Sequence, residues 1–231
     1  MKTLLNLFAI CMCYVLQAHT IWIETNTFAK TNQKHEIKIF FGELDSPTPT
    51  AKWFSDIKDL EIKIISPSGN EFSIKEKVQN EKYYSSFFTP TEYGTYIINV
   101  KHLVKDTFKK MKITYQTVAF VKTNQNEQEV KLGSNPFAYE VSNTKFNLNK
   151  EKSIRLFFEG EAKSKQKLKI VADNNWEQSL YSNVHGKVTF KPLWKGKYLL
   201  EMVNSQKKQG EHNGQPYEID YEMITYLVEV K

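Results

Sequence analysis

Apolar and polar residues alternate with a period of two along almost the whole chain, and a helical period is almost nowhere present. His35, Ile37, Ile39 and Phe41 form one such run; Leu60, Ile62 and Ile64, then Tyr96, Ile98 and Val100, then Leu168 and Ile170 form others. Side chains on a strand point to opposite faces in turn, so these runs predict half-buried strands with one wet and one packed face. Turn-forming clusters separate them: Pro67-Ser68-Gly69-Asn70, Pro90 to Gly94, Asp173-Asn174-Asn175 and His185-Gly186. The pattern excludes a helical bundle and an α/β fold, and it predicts an all-β protein.

A self-match divides the chain. Phe88-Thr-Pro90-Thr-Glu-Tyr-Gly94-Thr-Tyr96 and Phe190-Lys-Pro192-Leu-Trp-Lys-Gly196-Lys-Tyr198 share the pattern F-x-P-x-x-x-G-x-Y, each followed by an apolar strand. Proline ends one strand, glycine assists the turn, and the tyrosine packs as the next strand begins. Sandwich folds use such corners. Two copies predict two immunoglobulin- or fibronectin-like β-sandwich domains in tandem, over residues 19–122 and 135–231. The polar stretch 123–134 then serves as a linker or a bridging strand. Residues 42–59, with Pro47 and Pro49, and the polar excursion from Asn204 to Asp220 break the regular spacing, as functional loops often do.

The first 18 residues place Lys2 before an apolar run from Leu4 to Leu16 and end in Ala18. The run is too short to span a bilayer and has the form of a cleaved export signal. Both cysteines, Cys11 and Cys13, fall inside it, so the mature chain would be cysteine-free and would rest on buried apolar area. No second apolar run is long enough for an anchor, and the expected location is the periplasm or the exterior. The net charge of +6 comes from interspersed lysines and a single arginine, Arg155. A solvated surface accounts for that pattern, and nucleic acid is not an expected partner.

Cleavage after Ala18 would make His19 the first residue. Its α-amine and imidazole could then close a chelate ring, and one further imidazole would complete the T-shaped arrangement called a histidine brace. Nitrogen-rich sites of this kind suit Cu(II) or Ni(II). The chain holds five histidines: His19, His35, His102, His185 and His212. His102 follows a strand at its exit, and His212 lies in the late polar excursion between glycines. Taken singly, each reads as readily as an exposed or loop histidine. His35 belongs to a strand pattern and His185 to a hairpin turn. There is no thiol nucleophile outside the leader, no G-x-S-x-G elbow and no H-E-x-x-H helix, so no enzyme is expected. The acidic loop residues, among them Glu43, Asp45, Asp56 and Asp59, read as charged loops.

The opening AHTIWIETNTF, with HEIKIFFGEL, AKWFSDIKDL, INVKHLVKD, FKPLWKGKYLLEMVN and GEHNGQPYE, resembles the NikM-like nickel-uptake family of exported bacterial domains. The resemblance spans essentially the whole mature chain and is most distinctive in AH-x-x-W-[IL]-E. It implies two β-sandwich domains in the periplasm and the handling of nickel or cobalt. It puts weight on His19, Trp22, His102 and His212, and it implies a membrane transporter or receptor as partner. The expected function is therefore a soluble nickel, cobalt or copper binding or uptake-accessory protein with His19, His102 and His212 as ligands. The rival is a non-catalytic adhesion, carbohydrate-binding or assembly module presenting aromatics such as Tyr83, Tyr84, Trp176 and Trp194. A histidine brace also serves lytic polysaccharide monooxygenases, but nothing else in the chain matches those enzymes.

Overall fold

The computed structural model describes residues 19–54, 56–124, 130–133, 136–141 and 145–231; the expected leader, 1–18, lies outside the described residues. The chain is an all-β sandwich protein, with no α-helix among the described residues. No helix there is long and apolar enough to cross a membrane.

A single eight-stranded sheet runs through the molecule. Its first half comprises β3 (Glu61–Ile65), β4 (Glu71–Ile74), β7 (Thr95–Leu103) and β8 (Met111–Lys122). Its second half comprises β13 (Lys167–Ala172), β14 (Glu177–Tyr181), β16 (Gly196–His212) and β17 (Gln215–Val230). The spatial order is β14-β13-β16-β17-β8-β7-β3-β4. The halves join where β8 and β17 pair in parallel, from Met111 beside Ile219 to Val118 beside Tyr226. Two smaller sheets cover it. One has the order β1-β2-β6-β5, built from β1 (Thr20–Thr25), β2 (His35–Gly42), β5 (Val78–Gln79) and β6 (Tyr83–Phe88). The other contains β9 (Val130–Leu132), β10 (Phe137–Val141), β11 (Lys152–Phe158), β12 (Glu161–Ala162) and β15 (Lys187–Phe190).

Alternation along the central strands shows where each cover lies. Tyr115, Ala119 and Val121 of β8 and Met223 of β17 pack with Ile21, Ile37 and Ile39 of the first cover. Val118, Phe120, Ile224 and Tyr226 pack with Leu132, Tyr139 and Leu156 of the second. Odd and even positions of the same strands thus enter different cores, so the covers sit on opposite faces of the shared sheet. This double coverage explains why every residue of β8 from Ile113 to Lys122 is buried. It also gives the molecule a pseudo-twofold axis along the β8–β17 seam. A reading of the repeat as tandem sandwiches does not foresee the shared sheet. Within the stretch 123–134, Val130–Leu132 is the strand β9, paired to β10.

The repeated motif builds the same corner twice. The Tyr96 hydroxyl accepts from the Thr91 and Glu92 amides at 3.0 and 2.7 Å. The Tyr198 hydroxyl accepts from the Trp194 amide and donates to the Trp194 carbonyl, both at 2.9 Å. Each motif phenylalanine packs on its tyrosine, at 5.5 and 5.3 Å between ring centres. Gly94 and Gly196 have φ of 141° and 127°, and a Cβ would lie 2.7 Å from Pro67 or from Asp173. The glycines are therefore required by both backbone and space.

Polar contacts between the layers make opposite predictions. The Tyr139 hydroxyl lies 3.1 Å from the Leu200 carbonyl and 2.9 Å from that of Ile224, linking the second cover to β16 and β17. Tyr139→Phe should lower stability by about 1–2 kcal/mol. Thr117 is fully buried and its hydroxyl has no hydrogen-bond partner. Thr117→Val should leave stability unchanged or raise it by up to about 1 kcal/mol. Urea unfolding of the two variants checks both signs.

Candidate functional site

The histidines named from sequence lie in β7, in β16 and at the start of β1, and the topology carries them to one pole. At this pole β1 begins, β7 ends and β8 begins. Alternation puts His102 on the same face of β7 as Ile98 and Val100, towards the first cover. Register places it opposite Tyr115, and Tyr115 beside Met223. His102 is only 6% exposed. Its Nε2 ends 3.2 Å from Asp56 Oδ1, close enough for an ion pair with a protonated ring but outside hydrogen-bond geometry. Asp56 Oδ1 instead accepts from the Lys105 amide at 3.1 Å.

His19 is exposed and directly precedes β1. Its ring centre lies 5.4 Å from that of Phe41, which also touches Phe54, Trp53 and Tyr115. The next residue, Thr20, reaches Met223 Sδ with its hydroxyl at 3.0 Å, so the start of β1 rests on the row that contains Tyr115 and His102. Trp22, the other residue of the opening motif, is fully buried. It stacks on Phe40 at 5.3 Å and joins a cluster with Leu199 of β16. Its role here is to seat β1 against the second half of the large sheet.

His212 overturns one expectation. The polar stretch from Asn204 to Asp220 is not a structureless excursion but a long two-stranded ribbon in which β16 and β17 pair as far as His212 and Gln215. The turn is Asn213-Gly214, with φ of 49° and 75°. That dipeptide is the usual two-residue hairpin signal and could have revealed the ribbon, but the flanking strands carry few apolar residues to mark them. The tip is tied to the segment after β7: His212 Nε2 lies 2.9 Å from the Val104 carbonyl, and Gln215 Oε1 accepts from the Thr107 amide at 2.8 Å.

The pole therefore gathers His19, His102 and His212 but holds each on a different partner: an aromatic ring, a carboxylate and a carbonyl. Among the described residues, no group of three or more His, Cys, Asp or Glu side chains is assembled to hold a metal ion. His102 Nε2 has no competing hydrogen bond, whereas His212 would have to offer Nδ1 or release Val104. His35 is structural: Nε2 lies 2.8 Å from Thr25 Oγ1, and burial pushes its pKa down. His185 sits in an exposed turn, where its amide donates to Asn183 Oδ1 at 2.9 Å. Tyr83 and Tyr84 are half-buried against Phe40 and Trp53 rather than free on the surface.

Neither models of protein families nor curated protein sequences match this chain.

Sequence reading gave no weight to Glu201. It lies between Leu200 and Met202, which enter the second core, and so projects to the other face of β16, opposite Lys169. Burial pushes its pKa up to about 7, against the attraction of Lys169 and with the repulsion of Glu177. A carboxyl whose folded pKa exceeds its unfolded value stabilises the fold most when protonated. That contribution is complete below about pH 4.5 and is lost as pH rises through about 7. Glu201→Gln should therefore gain on the parent protein by on the order of 2–3 kcal/mol at pH 8 and by nothing at pH 4. Urea midpoints at the two values measure it.

Proposed function

We propose that the protein is an exported, soluble carrier of a transition-metal ion, nickel, cobalt or copper, with His19 as its primary ligand. Export would expose the α-amine of His19 beside its imidazole, and the pair, through Nδ1, forms a six-membered chelate that few other residues can offer. The observation that carries this reading is the position of His102: a buried imidazole whose Nε2 meets Asp56 at 3.2 Å but makes no hydrogen bond, at the same pole as the start of β1. His212 supplies a further imidazole after a small rearrangement of the ribbon tip. A carrier with exposed first ligands suits delivery to a membrane transporter or receptor. The resemblance of the opening motif to nickel-uptake domains points the same way.

A second reading has its own observation. Trp176 and Trp194 meet edge to face at 5.4 Å, with Trp194 40% exposed. Such a patch suits an adhesion or carbohydrate-binding module, and it lies in the second half of the chain, whereas the histidine pole is built around the first.

Calorimetric titration with nickel and copper separates the readings. Protein beginning at His19 should bind at least about tenfold more tightly than the same protein with one residue added before it. His102→Ala should weaken binding while His35→Ala does not, and affinity should fall on acidification because protons compete with the metal for the ligand nitrogens. Equal affinity with and without the added residue would overturn the carrier reading.

A further inference from the structure

The tip of the β16–β17 ribbon pairs a reactive dipeptide with a set of ties. Asn213-Gly214 is the only Asn-Gly pair in the sequence, and both residues are exposed. Asparagine is a thermolabile residue, because a backbone nitrogen can attack its side-chain amide. The attacking nitrogen is that of the next residue, so a glycine there, with no side chain in the way, gives the least hindrance. Nothing lies within 4 Å of where a Cβ on Gly214 would stand, so the surroundings leave the same space open.

The ties hold the tip against the segment after β7. Asn213 Nδ2 donates to the Lys105 carbonyl at 3.0 Å. To one side His212 Nε2 lies 2.9 Å from the Val104 carbonyl, and to the other Gln215 Oε1 accepts from the Thr107 amide at 2.8 Å. The Asn213 tie engages the nitrogen that the reaction must expel, so the closed tip protects its own asparagine. Below the tip, the Lys110 carbonyl accepts from the amides of Glu218 and Ile219 at 2.9 and 3.2 Å. The tip can therefore open alone while the base of the ribbon stays on the sheet.

We infer that Asn213 is a site of spontaneous deamidation, and that the change releases the ribbon tip from residues 104–107. The Gly214 nitrogen gives up its proton to solvent base and bonds to Asn213 Cγ. The Cγ–Nδ2 bond then breaks, and Nδ2 leaves as ammonia with a proton taken from water. Water opens the resulting succinimide at either carbonyl, giving aspartate or isoaspartate; the sum is water consumed and ammonia released, with no redox change. Either product removes the donor to Lys105 and sets a carboxylate against that carbonyl, where two acceptors cannot share a hydrogen bond. The new charge also lies near Asp106, whose Oδ1 is 3.3 Å from Gln215 Nε2. Isoaspartate further routes the main chain through Cβ and Cγ. That lengthens a two-residue turn with φ of 49° and 75°, and the His212–Gln215 pair loses its register. Ammonia is lost to solution, so the release is permanent, and His212 gives up Val104 with it.

The inference does not rest on metal binding and is measured in chelator-dialysed protein. Incubation at mildly alkaline pH should convert Asn213, with isoaspartate and aspartate located by peptide mass mapping. Conversion should be at least about tenfold faster in urea, where the tip is never closed. Asn213→Asp, which is the simpler product, should speed hydrogen exchange at the Thr107 amide at least about tenfold and leave the amides of β8 unchanged. The inference is overturned if folded protein stays unmodified at Asn213 long past the time in which the unfolded chain converts, or if the two convert equally fast. Unchanged exchange at Thr107 in the variant would remove the link to release. Faster exchange in β8 as well would overturn it too, since the change would then unfold the sheet rather than open the tip.

Discussion

The parallel pairing of β8 with β17 is the contact on which the rest of the molecule depends. Strands this far apart in sequence can lie in parallel only if a long connection returns the chain to the same end of the sheet. Here the whole second half of the chain is that connection. Pairing equivalent strands of a repeat side by side in parallel has a geometric consequence. The operation that relates them is a half-turn about an axis along the strands, and a half-turn exchanges the faces of the sheet. The two covers must then lie on opposite sides, as they do. A strand at the centre of such an arrangement has no wet face, and the sequence from Ile113 to Val121 is correspondingly rich in apolar and β-branched residues.

That arrangement also explains where unusual chemistry collects. Each cover is narrower than the shared sheet. The first leaves Glu201 beside its edge strand β1, on a face dry enough to hold the carboxyl near neutrality. The second leaves the outer face of β3 and β7 partly open, and there Asn99 and Gln116 sit low in a charged groove, each with a buried side-chain atom that has no hydrogen-bond partner. Both features arise where a half-covered sheet changes from core to surface. Burial without full satisfaction costs stability.

How much of this was legible follows from what a one-dimensional pattern can carry. Alternation at His35 to Phe41 and Tyr96 to Val100 marks strands because their inner faces are apolar and their outer faces are not. The F-x-P-x-x-x-G-x-Y repeat marks two equivalent corners because the tyrosine hydroxyl, the proline and the positive-φ glycine each have one job there. The shared sheet was not legible, since pairing between distant strands leaves no local trace in either. The ribbon at Asn204 to Asp220 was hidden for a different reason. Its strands stand largely in solvent, so no apolar period announces them, and only Asn213-Gly214 betrays the turn. Similarly, His102 and His212 are recognisable as residues, but that the ribbon tip and the exit of β7 share a pole depends on the pairing of β17 with β8.

The histidine pole owes its construction to the same seam. His212 reaches the segment after β7 only because β17 runs beside β8 and carries the hairpin with it, fixing Gln215 on Thr107 and His212 on Val104. His19 reaches the pole by a separate route, through Trp22 packed on Leu199 and Thr20 on Met223, and both of those anchors belong to the second half of the chain. The first cover thus rests on β16 and β17 as well as on the strands of its own half. Loosening the β8–β17 seam would release the ribbon tip and the start of β1 together, so any chemistry that uses more than one of these histidines is coupled to the integrity of the whole sheet rather than to a single loop.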